Sequence, residues 1–261
     1  MGERGFFDLQ LKLDKLRQRR QDEDASTTLA FQERLELGWL YHDNALEGVV
    51  LSHHEIKDAL DDRILTDRRQ GAMHRGIRAH KAAIDFVQKL GRAPDSQSPQ
   101  HAPITVALLK QLHDLLIHEG QPKGSAYRSA KLPHRTYQHE IVQPDRIPLQ
   151  MRELCDSLNE EPGTMHPLTR AASAHFDFMA IYPFNEHNGK VARLLMNLLL
   201  LRDGFPPTVI PDIERRRYYE SLRSEKECLA ELIADTLNTY CSAATHFIDD
   251  LAGFRGPHET H

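Results

Sequence analysis

From His175 to Arg202 the chain reads HFDFMAIYPFNEHNGKVARLLMNLLLLR, two apolar helical runs separated by a few polar residues. Pro183 lacks an amide hydrogen and disfavours helical geometry in the residue before it, so the first run is expected to stop near Tyr182. Asn185, Glu186, His187, Asn188 and Gly189 make a polar loop. A second helix then starts near Gly189 and Lys190 and enters LLMNLLLL, which is apolar on nearly every side. Such a helix belongs at the centre of a core, and its first turn is held rigidly.

Apolar residues recur at helical spacing elsewhere too, as in Phe7, Leu11, Leu13 and Leu16, and in Leu29, Leu35, Trp39 and Leu46. Further helices are expected around 53–61, 71–91, 104–119, 147–160, 167–182, 190–203, 213–223 and 225–252, so the chain reads as all-α. Residues 93–103, APDSQSPQHAP, form a loop rich in proline and serine. From Tyr127 to Val142 the texture changes: β-formers flank the turn-prone LPHR, which suggests a small β-hairpin. A length of 261 residues with 40% hydrophobic composition can bury a substantial core.

Other features exclude function classes. A formal charge of −5, from 33 basic and 38 acidic residues without a basic stripe, argues against nucleic acid as a partner. No apolar run reaches the roughly 18–20 residues that span a bilayer, and MGERGFFDLQ lacks the layout of a signal peptide, so a cytoplasmic protein with no membrane partner is expected. Cys155, Cys228 and Cys241 are widely spaced free thiols, and His53, His54, His134 and His139 make no metal-ligand pattern.

The loop before the buried helix has chemical potential of its own. Unpaired amides at a helix N-terminus and the positive end of the helix dipole favour a phosphate. Lys190 and Arg193, three residues apart, share one face of the first turn and can converge on one anion. Glu186 beside them can ligate a Mg²⁺ that bridges phosphate oxygens. Taken alone, these residues fit an ordinary helix–helix connection with a solvated Lys and Arg equally well.

YPFNEHNGKVAR, residues 182–193, resembles the signature HxFx(D/E)GNGRxxR of the Fic family. Pro183, Phe184, Glu186, Asn188, Gly189 and Arg193 match it, and HPLTRAASAHFDFMAIYPF, LLMNLLLLRDGFPPTVIP, ERRRYYESL and GSAYRS resemble the flanking family segments. The resemblance covers about residues 105–225. It implies an all-α Fic fold, a multi-helix bundle with a small β-hairpin flap that positions a target protein's hydroxyl side chain. The implied division is an N-terminal helical region over 1–100, a Fic core over 101–225, and a C-terminal helix and tail over 226–261. Mg²⁺ and ATP are the implied cofactor and substrate, with AMP moved to the protein hydroxyl. Glu186 takes the metal position, Asn188, Gly189, Lys190 and Arg193 the nucleotide anion site, and a homodimer is a further expectation. DNALEGVVLSHHEI resembles the family's inhibitory motif (S/T)xxxE(G/N), with Asp43 in the hydroxyl position and Glu47 and Gly48 matching. By that resemblance Glu47 pairs with Arg193 and keeps it from the γ-phosphate; a carboxylate there neutralises the arginine and repels the phosphate.

Three positions depart from the signature: Tyr182 for its histidine, His187 for its first glycine and Lys190 for its first arginine. The family histidine serves as general base, whereas tyrosine, with a reference pKa of about 10, is phenolate in only about one part in a thousand at pH 7. Loss of general-base help costs roughly 10²–10⁴ in rate. Tyr182 is therefore the doubtful catalytic position. His187 either acts as a displaced base or phosphate donor, or narrows the anion hole where glycine's freedom is lost. Lys190 keeps charge without the bidentate fork. An autoinhibited or slow transferase, a nucleotide- or peptide-binding pseudoenzyme, and an enzyme acting on a different phosphate compound all remain open.

Overall fold

The structure, a computed structural model, describes residues 3–21, 25–61, 68–92, 101–117, 126–130, 140–160 and 163–254. Ten α-helices run in chain order among them: α1 (Glu3–Gln21), α2 (Ala25–Leu46), α3 (His53–Leu60), α4 (Arg68–Gly91), α5 (Val106–Leu116), α6 (Ile147–Asn159), α7 (Pro167–Ile181), α8 (Asn188–Arg202), α9 (Arg215–Ser221) and α10 (Lys226–Phe254). No strand occurs among the described residues. The helical expectation holds element by element.

Helix ends follow local chemistry. Ser52 accepts from the amide of Glu55 while the Glu55 carboxylate accepts from the amide of Ser52, a capping box that starts α3. Thr105 caps α5 through the amide of Leu108. Gly48, at φ +87°, ends α2: its amide donates to Ala45 and that of Val49 to Asn44, the paired bonds of a Schellman turn. Glu47 is thereby the last residue before the chain reverses.

The centre of the molecule is α8. Every residue from Val191 to Leu200 is buried, and α7, α4 and α5 pack around it, with α10 against α7 and α1 against α10. Each buried leucine contributes about 1.5–3 kcal/mol, so this helix cannot shift as a rigid unit without large cost. Buried side chains from Leu9 to Ile248 form one core cluster that spans the N-terminal helices, the middle of the chain and α10. Consequently the first turn of α8 is a fixed point against which α2 can be placed.

The expected hairpin is described only at its legs, since 131–139 lie outside the described residues, as do His134 and His139. Each described leg bonds to the end of α7 rather than entering a strand: Arg128 N–H donates to Pro183 O and Val142 N–H to Ala180 O, at 2.9 and 3.0 Å. Arg128, buried despite its charge, joins them. Its guanidinium donates to the carbonyls of Tyr182, Ile181, Ala130 and Val142. That one side chain ties both legs to the C-terminal end of α7, where carbonyls lack helical partners. Most of the loop over 93–103 also lies outside the described residues.

Candidate active site

Helix α7 stops where Pro183 requires it to, and Tyr182 is its cap. The Tyr182 amide donates to Phe178 O at 2.8 Å and its carbonyl accepts from Arg128 Nε at 2.7 Å. Its backbone is left-handed, with φ 50° and ψ 60°, a conformation uncommon for a bulky residue and costing about 1 kcal/mol or more. The half-buried ring packs against the core. His187 is also left-handed, at φ 61°. The loop thus keeps a glycine-like backbone at the very position where the signature's glycine is missing.

Asn188 closes that loop. Its Oδ1 accepts from the Phe184 amide at 2.9 Å and its Nδ2 donates to the Phe184 carbonyl at 2.8 Å. Both faces of the amide side chain are spent on backbone, so an anion here would meet the Asn188 backbone amide rather than its side chain. The closure also explains why α8 begins at Asn188, two residues earlier than apolar periodicity indicates. The amides of Asn188, Gly189 and Lys190 precede the first helical bond, from Val191 N–H to His187 O at 3.0 Å.

The C-terminal turns of α2 lie against this N-terminus. Arg193 Nη2 meets Glu47 Oε1 at 2.8 Å, the pair implied by the inhibitory motif. A Cβ built on Gly189 would overlap the Glu47 carboxylate and stand 3.0 Å from Arg193 Nη1. A side chain at 189 would therefore push the Glu47 carboxylate off its place against Arg193. Lys190 Nζ donates to Asn44 Oδ1 at 2.8 Å, so both basic residues of the first turn are engaged by α2. Burial pushes the Lys190 pKa down, with Glu47 and Asp43 opposing.

Beneath Glu47 sits a second, deeper carboxylate. Arg193 Nε donates to Asp43 Oδ1 at 2.7 Å with both side chains almost fully buried, whereas the Glu47 side chain is 31% exposed. Burial alone would raise the Asp43 pKa; Arg193 and His80 outweigh it and hold the carboxyl well below the usual range. His80 Nε2 faces the other Asp43 oxygen at 3.2 Å. Burial and the Lys190 charge push His80 below its ordinary value, so it serves as a neutral donor, with Nδ1 toward Asn44 Nδ2. Arg193 Nη1 donates to the Tyr218 hydroxyl at 3.1 Å, and that hydroxyl lies 3.0 Å from His175 Nε2. His175 thus belongs to the arginine's support. From α9, Arg215 Nε and the Tyr219 hydroxyl both donate to the Leu46 carbonyl at 2.9 Å, fastening the end of α2.

On the opposite side of the loop, His113 of α5 stacks on Phe184 with ring centroids 3.9 Å apart and bonds to the backbone of Glu186. Burial lowers its pKa. The His187 ring lies 6.2 Å from it. Glu186 is exposed beside the N-terminus of α8, and among the described residues no group of three or more His, Cys, Asp or Glu is arranged to hold a metal ion. A single carboxylate suits an ion that takes most of its ligands from phosphate and water, as Mg²⁺ does.

Several of these residues escaped the sequence reading. Asp43 stood out only as a replacement for a hydroxyl, Asn44, Arg128 and Tyr218 lie within family-like segments that gave them no role of their own, and His80 and His113 carry no local signal. A lone histidine or tyrosine in an amphipathic helix looks the same whether it packs or bonds.

Known proteins supply an independent view. Residues 103–200 match the family model described as the Fic/DOC family. Protein adenylyltransferase fic-1 of Caenorhabditis elegans is 29% identical over 186 residues, 70% of this chain and 35% of the relative. Protein adenylyltransferase Fic of Drosophila melanogaster is 29% identical over 190 residues, 72% of this chain and 37% of the relative. The chain therefore spans little more than a third of the length of these relatives. A solved fragment of C. elegans Fic-1 superposes with a TM-score of 0.74 at 22% identity, covering 94% of this chain and 71% of the fragment. A Fic domain containing signaling protein from Bacteroides thetaiotaomicron gives 0.71 at 21% identity, with 94% of both chains covered. The all-α architecture is thus that of Fic proteins, and residues 103–200 of this chain form a Fic/DOC family domain.

Proposed function

We propose that this chain binds Mg²⁺ and ATP at the N-terminus of α8 and transfers AMP to a hydroxyl side chain of a protein, in a site held shut by α2. The observation that carries the reading is the Glu47–Arg193 pair, set directly over Gly189 where α8 begins. A carboxylate there stands where a phosphate would be drawn by the unpaired amides and the helix dipole. Glu186 would hold the Mg²⁺, which supplies charge neutralisation at the phosphates when bound. The amides of Asn188, Gly189 and Lys190 orient the anion, and the Arg128-tied legs of the flap offer the edge along which a target segment lies.

In the transfer the hydroxyl oxygen bonds to the α-phosphorus, the bond to pyrophosphate breaks, and the hydroxyl proton passes to an acceptor. His187 is the imidazole within the loop itself and the acceptor this reading favours. Tyr182, at the position of the signature's histidine, supports a second reading, a nucleotide-binding module without transfer.

The test uses labelled ATP and Mg²⁺ with wild type, Asp43→Asn/Glu47→Gln, and that pair combined with Tyr182→His. Nucleotide binding by the opened protein, with label moving to protein, supports the transferase. Label that moves only after histidine is restored supports the module. Failure of ATP to bind when both carboxylates at Arg193 are neutralised, in protein that melts cooperatively, refutes the nucleotide reading.

A further inference from the structure

The Arg193 guanidinium has each of its nitrogens assigned: Nε to Asp43 Oδ1, Nη1 to the Tyr218 hydroxyl, and Nη2 to Glu47 Oε1 with the Asp43 carbonyl at 3.3 Å. Only the Glu47 bond lies on the partly exposed side; the Asp43 carboxylate is 2% exposed and the arginine 1%. A phosphate approaching the N-terminus of α8 can replace Glu47. It cannot replace Asp43, which lies beneath the arginine and is itself held by His80. Moreover, the charge of Arg193 is already matched by Asp43 in a region of low dielectric, where such a pairing is strong and little attraction is left over for a second anion.

From this geometry we propose that Asp43 is the principal counter-ion of Arg193 and the residue that limits how tightly the site takes the phosphate chain of a nucleotide, so that displacement of Glu47 alone leaves the arginine committed. The proposal rests on the nucleotide reading of the site. It has a mechanical corollary. A swing of the Glu47 side chain is a local event, whereas freeing Arg193 requires the last two turns of α2 to withdraw together. Asp43, Asn44 and Glu47 all bond to the first turn of α8, and Arg215 and Tyr219 hold the Leu46 carbonyl. The site is therefore opened by movement of a helix end and its α9 clasp, not by one rotamer.

Calorimetric titration of wild type, Glu47→Gln, Asp43→Asn and Asp43→Asn/Glu47→Gln with Mg·ATP and with adenosine tests this. Glu47 is the partly exposed partner of an arginine already matched by Asp43, so Glu47→Gln should tighten ATP by at most about fivefold. Adding Asp43→Asn, which keeps side-chain size, should tighten it by a further factor of about ten or more, while adenosine affinity stays the same in all four proteins. Equal ATP affinity for Glu47→Gln and the double variant overturns the proposal and leaves the nucleotide reading standing. ATP binding to none of the four overturns both. If the Asp43→Asn proteins fail to melt cooperatively, exchange of the Arg193 Nε proton in Glu47→Gln decides. Protection that persists at saturating ATP supports Asp43 as the counter-ion, and protection lost on adding ATP overturns it.

Discussion

Replacing Asn188 by alanine tests the loop closure directly. The side chain makes two bonds to the backbone of one residue, Phe184, at 2.9 and 2.8 Å, and Phe184 is fully buried. Alanine removes both and leaves a buried N–H and C=O without a partner, which costs about 1–3 kcal/mol for each group, so about 2–6 kcal/mol in all. With an unfolding entropy of about 2.1 cal/mol/K per residue, a chain of this length should melt about 4–11 °C lower. The effect should also be local. In hydrogen exchange the Phe184 amide should lose protection by more than the global loss of stability accounts for. Asn197→Ala is the matched control, because Asn197 brackets the backbone of Thr208 in the same two-bond manner at 2.7 and 3.1 Å. It should lower the melting temperature similarly without selectively exposing Phe184. A drop of under about 1 °C for Asn188→Ala, with Phe184 still protected, would refute the view that this side chain holds the loop.

Three further outcomes are expected. Arg128→Met should cost about 3–5 kcal/mol in denaturant unfolding, because four carbonyls lose one charged donor, and Arg128→Lys should recover less than half since an ammonium lacks the planar fork. Gly189→Ala should push the Glu47 carboxylate off Arg193 at a cost under about 1 kcal/mol, and that cost should vanish in a Glu47→Gly background; an equal cost in both would contradict the contact. His80 has its folded pKa pushed down, so its contribution is complete above about pH 6.5 and is lost as pH falls through the folded value. The unfolding free energy from urea titrations should fall between pH 7.5 and 5.5 by up to about 1.4 kcal/mol per pH unit for each such histidine, His42 and His113 shifting the same way, and His80→Gln should remove one proton's share of the slope.

What the sequence determined by itself is the local part of the protein. Pro183 stopping a helix, Ser52 and Glu55 starting one, Gly48 ending one and an all-round apolar run becoming the central α8 are all consequences of neighbours within a few residues. The Glu47–Arg193 pair was legible only because two short segments each resembled a family motif. Tertiary structure decided the rest. Asp43 and Arg193 are 150 positions apart, and no periodicity marks a carboxylate that will be buried against a particular guanidinium. His80 and Tyr218 enter the same cluster from α4 and α9, and His113 reaches the loop from α5. Helical patterning says which face of each helix turns inward. Which buried polar group meets which depends on how the helices cross α8, and that is set by packing of the whole core.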